Sequence, residues 1–194
     1  MISAGRPDTV VPDGFRLLVR EEVGSTNVEA LELAAAGAPT GTIVWAERQS
    51  QGRGRRGRAW ESPAGNLYCS VILRPRARPV AQVSFVAAVA VAEAIERFDL
   101  GVQLKWPNDV LMDGAKVAGI LLEGTGSALV LGTGVNIASA PPGGISLRTQ
   151  GVATSVARVL QAYLAALKDW MARWESEGFT PVRSEEHTSE LQSH

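Results

Sequence analysis

The 194-residue chain is 45% hydrophobic, enough apolar content to bury a core at the size of one domain, or of one domain with a fragment attached. A net charge of −1 argues against a general polyanion binder, and no apolar run approaches the roughly 20 residues of a membrane-spanning helix. The single cysteine, Cys69, excludes an internal disulfide framework and suits a reducing cytoplasm, and both histidines, His187 and His194, stand near the C-terminus, so a Ser-His-Asp relay or a histidine-based metal site in the body is excluded.

Residues 1–13 hold no basic segment leading into an apolar one, so no signal peptide is expected, and they are too few and too polar to fold a helix-turn-helix. Arg16–Val23 reads as a short strand that enters Gly24-Ser25-Thr26-Asn27. Thr26 and Glu29 have the spacing of a capping box, and the Ala/Leu/Glu-rich stretch Asn27–Ala36 predicts a helix closed by Gly37 and Pro39. Thr42–Glu47 is a buried-type strand. Next comes a stretch in which Arg48, Arg53, Arg55, Arg56 and Arg58 fall between residues 48 and 58 without an acid among them.

Asn66–Arg74 predicts a strand with Leu67, Cys69, Val71 and Leu73 on one face. Val80–Phe98, rich in alanine and apolar at helical spacing, predicts a helix with Glu93 and Glu96 outside. Gln103–Trp106 and Val110–Met112 are strand pieces around Pro107, and Asp113-Gly114 is a hairpin signal. Lys116–Glu123 and Ala128–Asn136 are apolar strands separated by Gly124-Thr125-Gly126, and a last helix spans about Thr154–Glu175. The order predicts an α+β fold: a mixed or largely antiparallel sheet with helices packed on one face. The body, 1–182, forms the domain; 183–194 is polar and aperiodic and is expected to be a disordered tail foreign to it.

Four segments carry candidate chemistry. In Gly52–Arg58 the glycines permit close approach of backbone to a ligand, and the arginines offer forked donors for carboxylate or phosphate. The same composition also describes a solvated or RNA-touching loop, but no aromatics interleave the arginines, and Trp60 follows directly, which is closer to a lid. In Lys105-Trp106-Pro107-Asn108-Asp109 the proline sets a turn that leaves Asn108 and Asp109 at its end, either as plain turn residues or facing a ligand. Lys116 opens an apolar strand, where it either guards a sheet edge or points an ammonium into a pocket; Gly119 in that strand hints at a close neighbour. Gly132-Thr133-Gly134-Val135-Asn136 ends the next strand and lacks the Gly-Lys-Ser/Thr of a phosphate loop.

Together and in this order, Gly24–Asn27, Gly52–Arg58 with Trp60, Lys105–Asp109, Lys116–Ile120 and Gly132–Asn136 resemble the biotin protein ligase family over about residues 16–178. The resemblance implies a catalytic domain of the class II synthetase-like biotin/lipoate ligase fold, without the N-terminal DNA-binding domain and without the small β-barrel-like domain that follows in the family. It implies an enzyme that activates biotin with ATP, accompanied by Mg2+, to biotinyl-5'-adenylate. Biotin then passes to a lysine of a biotin carboxyl carrier protein domain.

By the same resemblance Ser25, Thr26, Asn27, Gln49, Arg53, Gly54, Arg55, Lys116 and Gly119 bind biotin, and Arg55, Arg56, Trp60, Asn108, Lys116, Gly134 and Asn136 bind the nucleotide. Lys116, Arg53 and Arg55 stabilise charge during the reaction, and Asp109 orients the incoming lysine. No metal site on the protein itself, no nucleic acid and no membrane are implied; pairing of two copies through their sheets is a family habit. The arginine-glycine loop is expected to be mobile when empty, since ordering costs roughly 1–2 kcal/mol per residue. The alternatives that the residues leave open are a lipoate or octanoate ligase or transferase of the same fold, a truncated ligase that binds biotin with weak activity, and an Arg/Gly nucleic-acid module.

Overall fold

A computed structural model describes residues 9–77 and 79–182. The expected 183–194 tail lies outside them, as do both histidines. The first strand, β1 (Arg16–Val23), has the expected bounds, and the helix after it, α1 (Thr26–Ala35), returns the chain so that β2 (Thr42–Gln49) pairs parallel to β1. Such a parallel pair needs a crossover, and the Ala/Leu/Glu stretch supplies it. Gly37, in the left-handed region at φ 89°, ends α1 as expected.

The remaining pairings between these strands are antiparallel: β3 (Leu67–Leu73), β4 (Gln103–Lys105), β5 (Asp109–Met112), β6 (Ala115–Thr125) and β7 (Ala128–Val135) complete a seven-stranded sheet of order β1-β2-β3-β7-β6-β5-β4. The Asp113-Gly114 signal is a tight hairpin between β5 and β6, with positive φ at both residues (50° and 73°), as a two-residue turn requires. The α+β class and the mixed sheet are as expected.

The helices depart from expectation in one respect: they lie on both faces. Successive strand residues point to opposite sides, and β2 shows the split. Ile43 and Trp45 join the core beneath α2 (Val83–Glu96) and α3 (Val156–Glu177), whereas Val44 packs with Ala30 and Ala34 of α1 on the other face. Helix α2 is buried almost all round because α3 covers its outer side, which explains a sequence with no polar stripe. Helix α3 is amphipathic instead, burying Leu160, Leu164, Leu167, Trp170 and Trp174. Its indole N–H groups reach back to α2 and to the single turn before it: Trp170 to Glu93 at 2.9 Å and Trp174 to Gln82 at 2.9 Å. Glu93 is therefore a packing partner and not simply an outward residue. Helix α1 covers only part of its face, and the uncovered remainder, beyond the N-terminus of α1, is where the motif residues collect.

Candidate functional site

On that uncovered face β3, β7 and β6 present Tyr68, Ser70, Gly132, Gly134, Gly119 and Leu121 toward the same side, because Tyr68 pairs with Gly134, Ser70 with Gly132, Gly134 with Gly119 and Gly132 with Leu121. Three glycines in a row of the sheet leave a floor without side chains. The room they leave is used: a Cβ at Gly134 would come 2.7 Å from the Trp60 ring, one at Gly119 3.0 Å from both Trp60 and the Lys116 side chain, and one at Gly132 would collide with the Asn27 amide. The result is a narrow cleft lined by Ser25, Thr26, Asn27, Gln49 and Arg53 at one end and by Trp60, Asn108 and Lys116 at the other.

The anticipated Thr26–Glu29 capping box is not formed. Helix α1 begins after Ser25, and its cap has no side-chain bond. Thr26 instead donates its backbone N–H to Gln49 Oε1 at 2.8 Å with its hydroxyl at 3.1 Å, while Glu29 pairs with Arg20 at 2.7 Å. The tertiary partner wins because the half-buried Gln49 at the end of β2 stands beside the buried Thr26, whereas Glu29 finds a charged partner on β1. Gln49 Nε2 donates to Ser62 Oγ at 2.9 Å, which in turn donates to the Trp60 carbonyl at 2.9 Å.

The arginine-glycine segment is a small hairpin: Arg53 bridges Ala59, the Gly54 N–H reaches the Arg58 carbonyl at 2.7 Å, and Trp60 N–H reaches Gly52 at 2.9 Å. Its arginines have separate fates. Arg53 lies 3.3 Å from Glu123 and Arg55 donates to Asn108 Oδ1 at 2.6 Å, both in the cleft wall. Arg56 is exposed at the hairpin tip, in the left-handed region at φ 56°, and faces an adjoining depression outside the cleft proper. Arg48, counted with the unpaired cluster from sequence, is paired with Glu21 and Glu22 of β1 at 3.3 Å each, so it plays no part in the cleft.

Lys116 stands near the start of β6, with Nζ 2.7 Å from Asp109 Oδ1 and 5.1 Å from the centre of the Trp60 ring. Asp109 opens β5, one residue earlier than expected, with Asn108 Nδ2 donating to its carboxylate at 3.0 Å. Asn136 does not line the cleft. It is buried behind it, where its amide donates to the Lys116 carbonyl at 3.2 Å and its own N–H to the Val117 carbonyl at 2.8 Å. It thereby holds the backbone that carries the lysine.

Three residues escaped the sequence reading. Tyr68 in the cleft wall and the buried Ser70 could have been found as the polar alternate face of an apolar strand; Glu123, which meets Asn27 and Arg53, gave no local signal. Burial pushes the Tyr68 hydroxyl up to about 12, and its O–H donates to the Pro63 carbonyl at 2.8 Å, so it enters the wall as a neutral group. The Trp60 indole N–H is buried without a hydrogen-bond partner among the described residues, which marks an unfilled donor beside the glycine floor.

The narrow cleft adjoins a wider depression of about 560 Å3, and Arg55, Trp60, Asn108 and Lys116 belong to both. Two compartments meeting at an ammonium and a guanidinium suit a small molecule and a second, anionic one that react where they touch. Among the described residues no helix is long and apolar enough to cross a membrane.

Comparisons with known proteins bear on the family and the fold. Residues 21–138 match the family model described as "Biotin/lipoate A/B protein ligase family". The chain is 42% identical over 180 residues to the biotin--[acetyl-CoA-carboxylase] ligase of Paracoccus denitrificans, covering 82% of this chain and 75% of that protein. It is 34% identical over 190 residues to the bifunctional ligase/repressor BirA of Bacillus subtilis, covering 88% of this chain but 58% of that one. Among solved structures it superimposes on the biotin protein ligase of Aquifex aeolicus in complex with biotin and ATP, with a TM-score of 0.82 and 30% identity over 88% of this chain and 76% of that one. The Leishmania major biotin protein ligase in complex with biotinyl-5-AMP gives a TM-score of 0.79 at 26% identity, over 92% and 81%.

Proposed function

The chain belongs to the biotin/lipoate A/B protein ligase family, and we propose that it activates biotin with ATP to biotinyl-5'-adenylate and passes biotin to a lysine of a biotin carboxyl carrier domain. The observation that carries this reading is the position of Lys116, which lines both the narrow glycine-floored cleft and the wider depression. Relatives bearing the biotin ligase name, and a similar ligase holding biotin and ATP together, supply the substrates that fit the two compartments.

In the first step a biotin carboxylate oxygen bonds to the α-phosphorus of ATP, taken up as its Mg2+ complex, and the bond to pyrophosphate breaks. Negative charge concentrates on the phosphoryl oxygens between the compartments. Lys116 and Arg55 stand there as fixed donors, and losing one donor of this kind raises a barrier by on the order of 3 kcal/mol. Arg53 closes the biotin end, and Ser25, Thr26, Asn27 and Gln49 receive the polar ring. Trp60 packs at the nucleotide side, over Gly134 and Gly119.

In the second step the amine of the carrier lysine attacks the anhydride carbonyl, AMP leaves, and the amine gives up its proton. Asp109, already within 2.7 Å of one ammonium, is the carboxylate suited to orient another. A thioester route through a cysteine, as in some lipoate or octanoate transferases, is disfavoured by Cys69: it is wholly buried, and burial pushes its thiol up to about 12.

Calorimetry with biotin, with and without ATP, tests the reading. Biotin binds and ATP tightens the apparent affinity, pyrophosphate appears, and trypsin cleavage between Gln49 and Arg58 slows at least severalfold. Uptake of lipoate in place of biotin, or no heat with either, would overturn it.

A further inference from the structure

Against Asn27 and Arg53, at the end of the cleft away from Lys116, stands a carboxylate with two partners and no role in the scheme above. Glu123, on β6, alternates with Leu121 and Gly119 and so faces the cleft side. Its Oε2 accepts from Asn27 Nδ2 at 2.8 Å, and its Oε1 lies 3.3 Å from Arg53 Nη2. Asn27 is 3% exposed, and its other contacts are the Leu121 carbonyl, 3.4 Å from Nδ2, and Ser70 Oγ, 2.6 Å from Oδ1. An ionised carboxylate can only accept, so the nitrogen of the Asn27 amide must face Glu123; the flipped amide would set oxygen against oxygen in a buried place. With the nitrogen so directed, Oδ1 lies over the bare backbone of Gly132, at the floor of the cleft.

We propose that Glu123 is a positioning residue for biotin recognition: by accepting from Nδ2 its carboxylate fixes which way the Asn27 amide faces and so presents an acceptor oxygen at the cleft floor, where a ring N–H of the ligand meets it. The proposal rests on the functional reading above for the identity of the ligand. The contact to Arg53 is separable. A glutamine at 123 can still accept from Asn27 through its amide oxygen but brings its own N–H groups against the guanidinium.

The test compares the full chain with Glu123→Ala and Glu123→Gln. In E123A the Kd and KM for biotin rise at least tenfold while the KM for ATP stays within threefold. In E123Q the biotin values stay within threefold of the parent chain. The ligand-free protein gives an independent readout: the Asn27 side-chain amide protons exchange at least tenfold faster with solvent in E123A than in the parent or in E123Q, by NMR. Equal exchange in all three overturns the proposal, as does a parallel loss for biotin and ATP, or unaltered biotin binding in E123A. Failure of the parent chain to take up biotin would instead strike the functional reading, and the exchange rates would still decide what Glu123 does.

Discussion

Lys116 Nζ and Asp109 Oδ1 meet at 2.7 Å across the β5–β6 ladder, with side chains 35% and 27% exposed. An ion pair this open is screened by water and contributes less than about 1 kcal/mol to stability, so its placement at the junction of two compartments is better explained by chemistry than by folding. Lys116→Ala is expected to lower biotin-dependent pyrophosphate release by about a hundredfold or more, with a melting temperature within a few degrees of the parent. Asp109→Asn, which keeps the size of the side chain, should slow transfer to the carrier lysine more than it slows pyrophosphate release. Unchanged pyrophosphate release in K116A would remove the lysine from the reaction.

The Trp60 ring rests on Gly134 so closely that a methyl group there would come 2.7 Å from Cε2 and 2.8 Å from the indole nitrogen. Gly134→Ala must therefore push the ring, and with it the end of the arginine-glycine hairpin, away from the floor. Overpacking of this sort costs roughly 1–3 kcal/mol. The expected result is at least a tenfold loss of ligand affinity and an altered tryptophan emission spectrum. Gly101→Ala, where a Cβ has open space, serves as the control. Parent-like affinity in G134A would show that the ring moves freely.

Two buried groups, Cys69 and Tyr68, predict an alkaline limit to stability alongside Tyr163, whose hydroxyl burial raises as well. Burial raises the Cys69 thiol from 9.0 to about 12 and the Tyr68 hydroxyl from 10.0 to about 12. Between those values the folded chain keeps protons that the unfolded chain releases, so their contribution is present in full below about pH 9 and is lost as pH rises toward 12. The melting temperature should fall from pH 9 to pH 11, less steeply in Tyr68→Phe and in Cys69→Ala. A thiol reagent added to the native protein at pH 8 should leave Cys69 unmodified. Rapid modification, or a melting curve indifferent to pH in this window, would contradict the burial of both groups.

The amino-acid sequence by itself determined the elements and most of the cleft. Period-two and period-3.6 patterns depend on neighbours along the chain, so the strand Arg16–Val23, the α2 and α3 helices and the Asp113-Gly114 turn could be read directly. Motifs with unusual composition, such as Gly52–Arg58 and Lys105–Asp109, also stood out on their own, and the fold brings Arg53, Arg55, Asn108 and Lys116 to one cleft. The tertiary structure alone decided the rest. Which face α1 covers depends on strand order, and the capping residue at Thr26 was taken by Gln49, 23 positions away. Asn136 turned inward, where its amide adds a second donor to a Lys116 carbonyl that already accepts from the Ile145 N–H. Glu123 is an ordinary strand residue in sequence and joins the site only through contacts with two cleft residues, Arg53 and Asn27, the latter 96 positions distant. Side chains reveal their periodicity locally, but the partner that satisfies a buried charge or amide is chosen by register between strands, which no local window contains.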